Sequence, residues 1–258
     1  MDLYIGDPVQ LVYGIFDTGS DLVWVQCKNQ AEKGKLAYYN QSASNSFYSI
    51  PKQIYPDDPK FSYCISGLTS GVNFVRFGTD AKLLGRTVNL FRHRIDQSYF
   101  MDVIGVQVNE VDIKVDPLVF ALSRDGKTGF TIDSGYDITS LSKVAFDALK
   151  DSLYEILGTA TKCSDFEICY PHSTFGMFWP YKFRPKIGIK FPGWVLEVDV
   201  WRKMGNTGLE CLQVQRTPMP DIKLSVLGAQ QLFDVNVGHD LKNNLLYLQP
   251  MKCPTANY

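Results

Sequence analysis

The sequence predicts an all-β protein with a single helix, on three observations. Short runs rich in Val, Ile, Phe and Tyr are interrupted by Gly, Asp and Asn, the texture of strands and turns. One stretch, 142–157, instead sets Val144, Phe146, Leu149, Leu153 and Leu157 at three- and four-residue steps, the spacing of one helix face. A short pattern, Ile15-Phe16-Asp17-Thr18-Gly19-Ser20, returns as Thr131-Ile132-Asp133-Ser134-Gly135-Tyr136.

In chain order, strands are expected at 10–16, 22–26, 73–77, 101–109, 130–133, 196–200, 224–227 and 245–248, each a run of β-branched, aromatic or aliphatic residues. Asp125-Gly126 precedes 130–133 and Lys242-Asn243-Asn244 precedes 245–248, and both supply turn residues that tolerate unusual backbone angles. The Ser/Asn-rich stretch 40–49 and the Pro/Asp-rich stretch 54–59 mark an exposed loop region. Ser142 or Ser140 can cap the helix.

Composition narrows the function classes. At 258 residues, 45% hydrophobic and 13% aromatic, the chain can bury a large core and is not a disordered segment. With 26 basic against 27 acidic residues and no basic run, it carries a net charge of −1 and lacks the electrostatics of a nucleic-acid binder. No apolar run approaches the roughly 18 residues of a membrane-spanning helix. Met1-Asp2-Leu3-Tyr4 has no charged-then-apolar leader, so no signal peptide is expected in this chain. Of the six cysteines no two have the two-residue spacing of a zinc or redox motif. His93, His172 and His239 stand far apart and are expected on the surface or as satisfied core residues rather than as metal ligands. Asn40-Gln41-Ser42 is a glycosylation sequon, a triplet that also arises by chance.

The repeated pattern carries the chemistry. A carboxylate at a strand end, followed by a hydroxyl residue and a glycine, makes a tight loop whose backbone N–H groups can approach the carboxylate. One such loop is ordinary turn composition, but two copies, each after an apolar strand, suggest a pair. Facing loops would bring Asp17 and Asp133 together around one water. Like charges that close cannot both ionise, so the pair would share a proton and titrate as a unit. The ionised member would take a proton from water as it attacks a peptide carbonyl, and the protonated member would polarise that carbonyl. Such chemistry is expected at acidic pH and needs no metal or organic cofactor.

These residues resemble a known family. The run from Phe16 through Asp17-Thr18-Gly19-Ser20 to Trp24 and Cys27 is similar to the first active-site segment of pepsin-like aspartic proteases, in their plant, nepenthesin-like branch. The likeness continues through Tyr4–Gln10, Phe61-Ser62-Tyr63-Cys64, Arg76-Phe77-Gly78 and Asp133-Ser134-Gly135. It closes with Ser225-Val226-Leu227-Gly228, Phe233-Asp234-Val235 and the run from Asp240 to Asn244. The resemblance implies a bilobal fold with a reduced N-terminal lobe at 1–98, a fuller C-terminal lobe at 99–258, and a cleft between them. It implies Asp17 and Asp133 as the catalytic dyad, with Thr18 and Ser134 bonded across between the loops and Ser20 on the outer oxygen of Asp17. Gly19 and Gly135 belong to the same two motifs, Val226-Leu227-Gly228 would cross behind the second loop, and Trp24 would support the tyrosine of a flap. A monomer acting on polypeptide substrates is implied, secreted or vacuolar by family.

Three departures qualify that reading. Tyr136 occupies the place of a Ser or Thr that should bond the second aspartate, and a phenol carries its hydroxyl too far from the backbone for the same bond. The flap and the N-terminal lobe's own apolar-apolar-Gly strand are missing between about Lys52 and Lys60, unless Val103-Ile104-Gly105 serves as that strand; 99–109 fits the opening of the C-terminal lobe better. The 116 residues from Asp17 to Asp133 are too few for a complete N-terminal lobe, so low or no turnover and a destabilised lobe are expected. The alternative function is a catalytically inert, pepsin-like binding protein comparable to plant xylanase inhibitors. Cys163, Cys169, Cys211 and Cys253 are expected to pair among themselves if the protein is secreted, leaving Cys27 and Cys64 to each other or unpaired.

Overall fold

The computed structural model describes residues 2–5, 7–13, 17–19, 40–45, 59–67, 73–92, 98–176, 183–218 and 223–253. Its spine is a ten-stranded mixed sheet. In spatial order the strands are Val214–Arg216, Thr139–Leu141, Lys223–Gly228, Thr128–Asp133, Tyr99–Met101, Arg86–Arg92, Leu245–Pro250, Val235–Asp240, Lys60–Cys64 and Phe74–Phe77. Strands from both halves of the sequence therefore share one hydrogen-bonded surface. Most neighbours are antiparallel; Lys223–Gly228 runs parallel to Thr128–Asp133, and Val214–Arg216 parallel to Thr139–Leu141. The central strands are buried on both faces, which is why adjacent residues such as Phe130 and Thr131, or Asn236 and Val237, are all nearly inaccessible to solvent.

Two four-stranded sheets flank this spine. One contains Thr161–Cys163, Phe166–Pro171, Leu209–Leu212 and Trp201–Lys203; the other contains Trp194–Val198, Ile187–Phe191, Gly105–Val108 and Val111–Asp112. The strand expected at 101–109 is thus two strands. Tyr99–Met101 belongs to the spine, and the chain crosses at Asp102–Ile104 so that Gly105–Val108 pairs with Ile187–Phe191. Ile104 N–H donates to the Lys190 carbonyl. This crossing places Val103-Ile104-Gly105 beside the later strand Ile187–Phe191.

The one α-helix among the described residues, Lys143–Leu157, buries Ala145, Phe146, Leu149, Leu153 and Leu157 against the core. Val144, expected on that face, is instead 53% exposed. Two residues at about 100° each carry it to the far side from Phe146, and Ala145 takes the inward place. The expected side-chain cap is also absent: Ser142 Oγ makes no hydrogen bond. Its backbone works instead, donating to Ser225 Oγ at 3.0 Å and accepting from Phe146 N–H at 2.8 Å.

At the N-terminal end, Asp2–Ile5 and Gln10–Tyr13 form an antiparallel pair. The Gln10 amide bonds both backbone groups of Asn40, at 2.8 and 3.0 Å, and ties the segment 40–45 to it. The expected strand at 22–26 and most of the expected deletion site, between about Lys52 and Lys60, fall outside the described residues.

The cysteine pairing departs from expectation. Cys169 bonds Cys211 within the second half, but Cys253 bonds Cys64, 189 positions away, and Cys163 is a free thiol. The reason is sheet register. Cys64 lies opposite Asn236 at a strand end, and after Leu245–Pro250 the chain turns back, with Met251 N–H on the Asp234 carbonyl and Cys253 N–H on Asp234 Oδ1. Cys27 falls outside the described residues.

Candidate active site: two aspartate loops

The second aspartate ends the strand Thr128–Asp133, directly opposite Gly228 of the parallel strand Lys223–Gly228. The loop that follows is laced to the end of that neighbour. Tyr136 N–H donates to the Asp133 carbonyl, Ala229 N–H to the Tyr136 carbonyl, and Gly228 N–H to Thr139 Oγ1 at 3.1 Å. Gln231 Oε1 accepts from Thr139 N–H at 2.9 Å. Val226-Leu227-Gly228 thus runs behind the loop and fixes its shape with backbone groups, which are its stiffest donors and acceptors.

The first loop, Asp17–Gly19, meets it with matching geometry. Gly19 N–H donates to Asp17 Oδ1 and Gly135 N–H to Asp133 Oδ1, each at 2.8 Å. Thr18 N–H donates to Ser134 Oγ at 3.2 Å, and Ser134 N–H donates to Thr18 Oγ1 at 2.9 Å. Both hydroxyl residues are buried, at 4% and 8% exposure, so these crossed bonds are shielded from competing water. The glycines are required by close approach. A Cβ on Gly19 would overlap the Asp133 carboxylate, and one on Gly135 the Asp17 carboxylate.

The two carboxyl groups are close enough to act on each other, and the effect is felt at Asp133. Burial raises its pKa to about 6; the Asp17 charge and hydrogen bond push the same way, against the Gly135 and Gly19 N–H groups. Desolvation is the larger raising influence and the like charge the second, the arrangement in which one of two neighbouring carboxyls stays protonated in mild acid.

Thr18, Gly19, Ser134 and Gly135 thus stand around Asp17 and Asp133. Tyr136 contributes through its backbone alone; its phenol makes no hydrogen bond to the Asp133 carboxylate. Ser20 and Trp24 fall outside the described residues. No group of three or more His, Cys, Asp or Glu that could hold a metal occurs among the described residues, and none of their helices is long and apolar enough to cross a membrane.

Two features beside the site escaped the reading of the sequence. Tyr63, 1% exposed on the strand Lys60–Cys64, brings its hydroxyl to Thr18; burial drives its pKa far up, and the nearby Asp133 charge adds to that. His239 lies buried beneath it. Farther off, the buried Glu210 carboxylate takes a bidentate pair from Arg184, at 2.6 Å each, and a contact from His172. No local motif marks any of these residues, because their partners are 38 positions away for His172, 26 for Arg184, 45 for Tyr63 and 178 for His239 on Phe61.

A bilobal all-β fold in which two Asp-[Thr/Ser]-Gly loops exchange hydrogen bonds defines the pepsin-like class. The chain belongs to that family through its xylanase-inhibitor-type members: a family model described as xylanase inhibitor C-terminal matches residues 98–250, and one described as xylanase inhibitor N-terminal matches residues 1–53. Among curated proteins it is similar to Protein Aspartic Protease in Guard Cell 2 of Arabidopsis thaliana, 26% identical over 205 residues that cover 75% of this chain and 42% of that protein. It is also similar to aspartic proteinase nepenthesin-2 of Nepenthes gracilis, 23% identical over 80% of this chain and 48% of that protein. The chain therefore spans less than half the length of these two relatives. The solved structures of edgp and of soybean basic 7S globulin share the fold, with TM-scores of 0.63 and 0.61 at 18% and 17% identity. Those alignments cover 75% and 78% of this chain and 54% of each structure.

Proposed function

We propose that Asp17 and Asp133 form a water-activating dyad that hydrolyses peptide bonds of polypeptide substrates in mild acid. The observation that carries this reading is the pair of crossed Thr18–Ser134 hydrogen bonds, which hold two carboxyls together while Asp133 keeps its proton to about pH 6. In that state Asp17 takes a proton from a water whose oxygen attacks the peptide carbonyl carbon. Asp133 donates its proton to the carbonyl oxygen, giving a gem-diol. The proton on Asp17 then passes to the amide nitrogen as the C–N bond breaks, and a gem-diol hydroxyl returns its proton to Asp133. Each carboxyl ends as it began.

Supporting roles follow from position. Gly19 and Gly135 admit the close approach, Thr18 and Ser134 set the separation, and Tyr136 shapes the second loop through its backbone. The division into lobes at 1–98 and 99–258 belongs to the same reading, as does an acid, secretory-type compartment. The two disulfides favour an oxidising environment.

A second reading is an inert, pepsin-like binding protein, favoured by the xylanase-inhibitor description of both matching family models and by Tyr136 at a position that leaves Asp133 without a side-chain hydroxyl donor. One experiment separates the two. A denatured protein substrate is incubated with the folded chain from acid to neutral pH, alongside Asp17→Ala and Asp133→Ala and with a peptide transition-state inhibitor. Acid-side hydrolysis lost in both variants and blocked by the inhibitor supports the dyad. Folded protein that hydrolyses nothing at any pH rejects it and leaves the binding protein.

A further inference from the structure

His239 sits on the strand Val235–Asp240 with no solvent exposure and no hydrogen-bond partner on either ring nitrogen. Its imidazole stacks on Phe61 at 4.2 Å, meets the edge of Tyr99 at 5.0 Å, and lies 5.9 Å from the Tyr63 ring. Across the sheet it is opposite Phe61 on one neighbour and Leu246 on the other. The layer borders the aspartate loops, because its Tyr63 hydroxyl responds to both Thr18 and the Asp133 charge.

We propose that His239 is a positioning residue for the dyad: as a neutral ring it completes the aromatic layer that holds Tyr63 against Thr18, and its protonation releases that layer and closes the acid side of the dyad's working range. The inference rests on the dyad reading above.

The surroundings give an imidazolium little to hold. On the Lys60–Cys64 strand the facing titratable group is Tyr63, and on Tyr99–Met101 it is Tyr99. From Arg86–Arg92 comes Arg92, whose guanidinium stands over the Tyr99 ring at 5.5 Å and is itself a cation. The Leu245–Pro250 strand presents Leu246. Asp240, next along the chain, points to the other face of the sheet and is bonded to Asn243. The Asp133 charge acts at the Tyr63 hydroxyl, and Asp133 is itself protonated in acid. Stacking on Phe61 favours a cation, but less than loss of water disfavours it. Burial accordingly lowers the imidazole from its ordinary 6.5 to about 3.

The unfolded chain therefore binds a proton at His239 below about 6.5, whereas the folded chain does not until about 3. Stability from the neutral ring is complete above the unfolded value and is lost as pH falls between the two. Asp133 holds its proton over the same interval. The dyad is thus poised in the range where its support weakens.

The test replaces His239 by a ring of similar shape that cannot titrate, His239→Phe, in the full chain. Near-ultraviolet circular dichroism follows acid unfolding, and hydrolysis of a denatured protein is measured over the same pH series. The unfolding midpoint should move about one pH unit or more toward acid. The acid edge of hydrolysis should move with it, while the neutral edge, set by Asp133, stays. An unchanged midpoint overturns the proposal; a shifted midpoint with a fixed acid edge overturns its link to the dyad. If the variant does not fold, the wild-type His239 ring-proton resonance decides: it should show no titration until the fold opens, and reversible titration near 6.5 in folded protein overturns the proposal. If the wild type hydrolyses nothing, the dyad reading fails separately, and no support for the dyad then remains to be assigned to His239.

Discussion

Thr18 and Ser134 lie 116 positions apart, yet each donates its backbone N–H to the other's side-chain hydroxyl. The reciprocity sets the distance between two carboxylates that would otherwise repel, and it does so with buried donors and acceptors. Thr18→Val removes the acceptor of Ser134 N–H while preserving shape. An unpaired buried N–H costs about 1–3 kcal/mol, so urea unfolding should report a loss of that size. Hydrolysis should fall by more than the loss of folded protein explains.

The pH response of Asp133 has a defined sign. Its folded pKa, about 6, lies above the roughly 3.9 of an unperturbed aspartate. The folded chain therefore binds more protons than the unfolded chain between these values, and this group's contribution to stability is lost as pH rises through them. Asp133→Asn should gain thermal stability relative to wild type on going from pH 4 to pH 7, by about 5–9 °C in melting temperature for a pKa shift of this size. The same substitution removes the proposed proton donor, and hydrolysis should drop about 10²–10⁴-fold at every pH. Scanning calorimetry and a timed digest check the two halves.

Joining Cys64 to Cys253 ties the end of the chain to the edge half of the ten-stranded sheet. The bond closes a loop of 189 positions, for which the cost of removal is about 2–5 kcal/mol. The double substitution Cys64→Ser, Cys253→Ser should unfold at correspondingly lower urea. Proteolysis under native conditions should then cut first near the C-terminus, where position 253 is no longer tied to the strand Lys60–Cys64.

Glu210 is a buried carboxylate whose side chain is 2% exposed, held by Arg184 from one end of the segment 172–184 and by His172 from the other. Arg184 holds its carboxyl below the usual range. That stability is present above the ordinary carboxylate pKa and is lost as pH falls through the lowered folded value. Arg184→Ala strands the charge. Breaking a fully buried pair costs about 3–5 kcal/mol, but the guanidinium is 46% exposed, so a loss of about 2 kcal/mol is expected at pH 7. Glu210→Gln in the same background should recover part of it, as chemical denaturation of the single and double variants will show.

Much of the fold was legible locally. The run 130–133 is the end of Thr128–Asp133, 224–227 lies inside Lys223–Gly228, and 245–248 opens Leu245–Pro250. Leu149 and Leu153 fall on the buried helix face as their spacing requires. What failed locally was whatever depends on a partner. Nothing in 101–109 says that the chain changes sheets at Asp102, because both pieces are equally apolar and only Lys190 and Thr131 decide where each pairs. Val144 was misplaced because an apolar residue can lie on the outer helix face when a smaller neighbour fits the core better.

By itself the sequence determined the β-rich class, the single helix and the two carboxylate loops. Strand alternation, helical periodicity and the Asp-hydroxyl-Gly turn are all written within a few adjacent residues. The tertiary structure alone decided that the loops exchange hydrogen bonds, that Asp133 is raised to about 6, that Cys253 meets Cys64, and that a histidine lies beneath Tyr63. Those outcomes come from pairings between residues 116 to 189 positions apart in sequence, and from a burial that exists only once the sheet has closed. Dielectric, register and proximity are properties of the assembled core, and no local stretch of the chain encodes them.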